Sequence, residues 1–248
     1  MSNSVGHLLT VLSFALFPAI GVFLGGAVTV IKTPGSALQS AVQHFAAGVI
    51  FCVLATELLP DLMHRHMPVW TLLGFSLGVA TMLGVKHFFE GHEEKGATSS
   101  DNSAENSSSM VTAMGIDVAL DGLLIGLGFA AGQKQGLLLT IAISLEVFFL
   151  DLACSTTLAA KGASRARVLM VPAMLGVLIL IGATTGAVVL TVLAPQAVDA
   201  LLAFGVAALL YLVTEELLVE AHEVTDTPAQ TAMFFVGFIV FFLVDMLL

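Results

Sequence analysis

The chain has 248 residues, of which 58% are hydrophobic and 10% charged, and its mean hydropathy is +1.02. That is more apolar surface than a water-soluble domain of this length can bury, so lipid must solvate most of it. A net charge of −10 excludes nucleic-acid binding and a strong electrostatic grip on anionic lipid, and suits a protein that attracts cations.

A membrane-spanning helix needs about 20 mainly apolar residues. Eight such stretches are predicted, over 8–31, 37–59, 68–89, 110–131, 136–160, 167–193, 197–218 and 229–248. They are too long and too uniformly apolar for barrel strands, so the predicted fold class is an all-α membrane protein forming one transmembrane domain. The first seven residues contain no Lys or Arg, so the first stretch is read as a helix and not as a cleaved signal peptide. Cys52 and Cys154 fall inside predicted spans without metal-type spacing and are read as packing thiols.

Charge bias orients the chain. With the N-terminus outside, Lys32, Lys86, Lys95, Lys161, Arg165 and Arg167 lie inside, and only Arg65 and Lys134 lie outside. The positive-inside rule therefore predicts that both termini face outward. The one long connection, over 90–109, is Ser/Asn/Glu-rich and free of aromatics, which predicts a disordered cytoplasmic loop. His87 and His92 at its start are weak candidates for transient metal capture; a solvated charge run has the same composition.

Sliding the chain so that Phe45 meets Phe204 aligns FAAGVIFCVLATELLPDLMH with FGVAALLYLVTEELLVEAHE without a gap. Glu57 then meets Glu216, and Asp61 meets Glu220. The second and seventh spans cross in opposite directions, so this is the pattern of an inverted repeat, the construction many secondary transporters use.

A carboxylate at the bilayer centre costs roughly 2.5–3.5 kcal/mol on insertion scales, so each should face a cavity, a partner or an ion. Asp117 and Asp121 in span 4 stand one helical turn apart on one face. With Glu146 of span 5 they offer three oxygen donors to a divalent cation. The bland alternative is that these acids are protonated and hydrogen-bonded, with Ser144 among the partners. Asp151 is five residues from Glu146 and turns away from it, toward another cavity or a neighbouring helix, and is kept as a further candidate ligand. Glu57 and Asp61 gather at the outer mouth, Glu216 and Glu220 at the inner one. His44 is read as a packed or interfacial histidine.

The whole chain resembles the ZIP (Zrt/Irt-like) divalent metal transporters as a divergent member. The resemblance rests on eight spans, a long polar loop between spans 3 and 4, polar spans 4 and 5, and FAAGVIFCVLATELLPD in span 2. In span 4, Asp117-Val118-Ala119-Leu120-Asp121-Gly122 lies where the family usually has His-Asn-x-Pro-Glu-Gly. By that match Asp117 takes the histidine place and Asp121 the glutamate. In span 5 the match leaves two registers open. Either Glu146 takes the histidine place with Leu150 at the glutamate, or Asp151 takes the glutamate place with Val147 at the histidine.

The resemblance implies a 3+2+3 arrangement of spans and transport of a divalent cation toward the cytoplasm by alternating access, spans 1, 4, 5 and 6 moving against 2, 3, 7 and 8. It implies zinc by family, with cadmium a further candidate, while an all-oxygen site leans toward harder ions such as manganese, iron or magnesium. The expected location is the cell membrane, multi-pass. The expected partners are the metal ion, the bilayer and a second copy as homodimer, with no nucleic acid and no organic cofactor. The rival readings are a metal-binding sensor or non-transporting homologue, and an intramembrane hydrolase. No HExxH or GxGD motif supports the hydrolase, so the chain is expected not to be an enzyme.

Overall fold

In a computed structural model of the chain, residues 2–31, 35–96, 103–222 and 227–247 are described, and they are helical with no strand among them. Eight helices are long and apolar enough to cross a membrane: Gly6–Ile31, Ser36–Arg65, Pro68–His87, Met110–Phe129, Gln133–Ala160, Arg165–Val189, Pro195–Leu217 and Pro228–Leu247, here spans 1 to 8. The chain is a multi-pass all-α membrane protein, and its even number of crossings puts both termini on one side. The helix of span 3 continues to Gly96 and that of span 4 begins at Ser103. Both flanks of the polar connection are therefore helical, while 97–102 lie outside the described residues.

Local chemistry sets the helix ends. Prolines open spans 3, 7 and 8 at Pro68, Pro195 and Pro228, where the missing N–H would have had no intrahelical acceptor. Thr227 and Gln230 cap span 8 reciprocally. The Thr227 hydroxyl accepts from the Gln230 N–H at 3.4 Å, and the Gln230 side chain accepts from the Thr227 N–H at 2.7 Å. Ser164 caps span 6 through the Arg167 N–H at 3.3 Å.

Glycines fix how closely the spans pack, and the contacts come in symmetric pairs. A Cβ on Gly78 of span 3 would lie 2.7 Å from the Phe204 carbonyl of span 7, and one on Gly237 of span 8 would strike the Phe45 carbonyl of span 2. Phe45 and Phe204 are the residues that start the two repeats, and Gly78 and Gly237 stand at the same offset. Spans 1 and 5 meet where Gly21 and Gly25 face the carbonyls of Ser144 and Phe148, and spans 6 and 4 meet where Gly182 and Gly186 face those of Ala119 and Leu123. Spans 2 with 8, 3 with 7, 1 with 5 and 4 with 6 thus pack as related pairs, as an internal twofold demands.

The same twofold reaches the backbone. Both repeats leave the α-helix for one π-helical segment, Leu54–Leu58 in span 2 and Leu212–Leu217 in span 7. Glu57 and Glu216, the repeat-matched acids, sit inside these segments. Such wide turns recur at functional sites because an extra residue per turn loosens the hydrogen-bond ladder and re-aims the side chains. Spans 2 and 7 are the most enclosed, whereas 3 and 8 are mostly exposed to lipid.

Candidate metal centre

Span 4 carries Asp117 and Asp121 inward because its opposite face is held to span 6 by glycines. Gly122 and Gly126 lie against the Ile179 and Ala183 carbonyls. Span 5 is locked to span 1 in the same way and brings Glu146 to the same level. One carboxylate oxygen from each of Asp117, Asp121 and Glu146 lies within 4.8 Å of the other two. Glu146 is 0% and Asp121 2% exposed, and Asp117 is nearly as enclosed.

The donors around the trio decide what it can hold. Asp121 Oδ2 and both oxygens of Glu146 are buried and receive no hydrogen bond. Ser144, the neighbour expected as a partner, donates to the Thr140 carbonyl at 2.6 Å instead. No ion pair to Asp121 or Glu146 forms among the described residues. Oxygen ligands without donors or a counter-cation are what a hard or borderline divalent ion requires. Glu216 in the π-helical segment of span 7 is close enough to act electrostatically on both Asp121 and Glu146. It therefore borders the centre from span 7.

The packing also relates span 5 to span 4. Ser144 and Phe148 occupy against span 1 the places that Ala119 and Leu123 occupy against span 6. By that correspondence Glu146 stands where Asp121 does, and buried Ala142 where Asp117 does.

Asp151 does not join the trio. Its carboxylate accepts from the Ser155 hydroxyl at 3.2 Å, lies against the Gly26 backbone of span 1, and fills the space that a Cβ on Gly25 or Gly26 would need. Thr29, within reach of the Leu152 carbonyl and the Thr156 hydroxyl at 3.4 Å each, extends this polar seam between spans 1 and 5.

The two mouths are unlike. On the side of span 5's beginning, the Lys134 ammonium lies 3.5 Å from Glu57 Oε1 and 2.8 Å from Asp245 Oδ1, and it donates to the Asp245 carbonyl at 3.2 Å. It ties span 5 to spans 2 and 8. Asp245 was given no role from the sequence, because its position near the end of the last span gave no hint of this contact. Asp61 is paired with Arg65 at 2.9 Å on its own helix. At the opposite end, Lys86 of span 3 meets Glu215 of span 7 at 3.2 Å. His87 is exposed, and the side chains of Glu220 and His92 lie outside the described residues.

Comparison with known proteins gives one bearing on this arrangement. No protein-family model matches the chain. The chain is similar to the zinc transporter GufA of Myxococcus xanthus, 27% identical over 225 residues that cover 89% of this chain and 77% of that protein.

Proposed function

We propose that this chain is a ZIP-like transporter that moves a divalent metal cation, zinc foremost, across the membrane toward the cytoplasm. The observation that carries the reading is the trio of Asp117, Asp121 and Glu146, drawn within 4.8 Å between two spans. Like charges gathered in a low-dielectric interior are relieved by a bound cation or by protonation, and the lack of any hydrogen bond to Asp121 Oδ2 or to either oxygen of Glu146 favours the cation. Similarity to a protein named as a zinc transporter supports the choice of cargo, while oxygen donors alone leave iron and manganese as competitors.

In this mechanism the cation enters past Glu57, exchanges most of its water for the three carboxylates, and leaves past Glu216. Spans 1, 4, 5 and 6 shift against 2, 3, 7 and 8, and the π-helical turns at Glu57 and Glu216 serve as the flexible points. The Lys134 contacts to Glu57 and Asp245 cross between those two bodies, so they hold the outer path shut. The approach of Glu216 to the centre corresponds to an inner path that has begun to engage it. This is the inward-facing half of an alternating-access cycle.

The test is transport by the purified protein in liposomes offered Zn²⁺, Mn²⁺, Fe²⁺ and Cd²⁺ in turn, beside Asp121→Ala. Uptake of at least one ion is expected, with the variant reduced at least a hundredfold. Uptake of none would refute the transporter reading, and equal uptake by the variant would refute the site.

A further inference from the structure

The end of spans 2 and 7 opposite Lys134 holds a pair of imidazoles that the transport path does not use. The rings of His44 and His222 meet edge to face, with centroids 5.0 Å apart and planes 62° apart. His44 is 1% exposed. Its Nδ1 lies 2.9 Å from the Ser40 carbonyl, one turn back on the same helix. His222 Nδ1 engages the Leu218 carbonyl, again four residues back. A carbonyl can only accept, so both Nδ1 atoms carry the proton, and in the neutral ring of His44 the Nε2 atom carries the lone pair. That is the tautomer and the backbone brace found on metal-ligating histidines.

His44 Nε2 makes the point sharper. It is buried, bears a lone pair and has no hydrogen-bond donor. The Ser40 hydroxyl, one turn back on the same helix, is likewise buried without a partner. A buried acceptor without a donor is costly unless a cation or water meets it. His222 meanwhile lines a shallow surface depression with Thr214, Leu218 and Val219, so its ring is open to the outside of the bundle.

We infer that His44 and His222 form a second cation site, built of nitrogen ligands, for a borderline divalent ion of the Zn²⁺ or Co²⁺ class. Imidazole discriminates against Mg²⁺ and Ca²⁺, which the all-oxygen centre does not do as strongly. His222 stands six residues beyond Glu216, about 9 Å along a helix. An ion released from the centre thus meets a softer set of ligands next, at the end of the bundle that carries the Lys161, Arg165 and Arg167 connection. The inference goes beyond the transport reading, and its readout is binding and not flux, so the two fail separately.

The experiment uses Co²⁺ as probe on the full chain in detergent, read by its visible ligand-field bands and by equilibrium dialysis. The Asp121→Asn/Glu146→Gln double variant is expected to retain one bound Co²⁺ with nitrogen ligation. Adding either His44→Gln or His222→Gln should weaken that binding at least tenfold, and His222 is exposed, so its substitution leaves the packing intact. Unchanged Co²⁺ spectrum and affinity in the His222→Gln triple variant would overturn the site. Absence of any Co²⁺ from the double variant would overturn it equally.

Discussion

Replacing Glu146 by Gln keeps the side-chain volume and removes one charge from the trio, so it separates electrostatic strain from metal binding. Each carboxylate oxygen pair stands at 4.8 Å or closer, and at an effective dielectric of about 20 two unit charges at that distance repel by about 3.5 kcal/mol. The ionised, metal-free wild type carries that repulsion across two pairs involving Glu146, and the variant carries neither. Metal-free Glu146→Gln should therefore unfold no earlier than wild type. Zinc reverses the order. At a concentration a hundred times its dissociation constant it stabilises wild type by about 2.7 kcal/mol, which for a chain of this size is a rise in Tm of about 5–10 °C. A hundredfold loss of affinity in the variant leaves about 0.4 kcal/mol at the same concentration, or about 1 °C. Differential scanning fluorimetry with and without Zn²⁺ reads both quantities. The same zinc-dependent rise in both proteins would mean that Glu146 is not a ligand.

Asp151→Asn should behave in the opposite way. It disturbs the Ser155 and Gly26 contacts, lowering stability by about 1–3 kcal/mol, yet it should leave zinc affinity within about twofold by dialysis, and a tenfold loss would return Asp151 to the ligand set. Lys134→Met removes the tie among spans 2, 5 and 8. In a background lacking Cys52 and Cys154, a cysteine placed at Thr56 should then react several-fold faster with a membrane-impermeant maleimide, and equal rates would argue that the outer path is closed by other contacts. Gly182→Ala forces a Cβ onto the Ala119 carbonyl. Overpacking of this kind costs about 1–3 kcal/mol, so a lower Tm and a weakened zinc response should appear together, because span 4 carries both aspartates; an unaltered Tm would contradict the packing.

The eight spans were legible because a membrane core admits few alternatives to a long apolar helix. The trio was legible because spacing puts Asp117 and Asp121 on one face and the adjoining span 5 offers a third acid. Three things were not. The π-helical turns leave no mark in residue type, because span 2 has Pro60 just after its wide turn and span 7 has Val219 at the matched place. Asp245 reaches Lys134 across three spans, and pairing at that range is invisible to periodicity. The facing of Asp151 depends on space left by Gly25 and Gly26 on another helix, which spacing along span 5 cannot report.

The paired aspartates of span 4 also bear on how the chain reaches the membrane at all. On the insertion scale an aspartate near a helix centre costs about 2.5–3.5 kcal/mol, against about 0.3–0.6 kcal/mol gained per Leu, Ile, Val or Phe. Two of them cancel the contribution of roughly a dozen apolar residues, close to all that Met110–Phe129 contains. Span 4 is thus a poor segment for the translocation machinery to release alone into lipid. Gly132 is all that separates its helix from the next, and span 5 has a mean hydropathy of 2.2 against 1.7 for span 4. The two should leave the translocon as a hairpin, with the acids already turned toward each other and away from lipid. Biogenesis and cargo binding then place the same demand on one short connection.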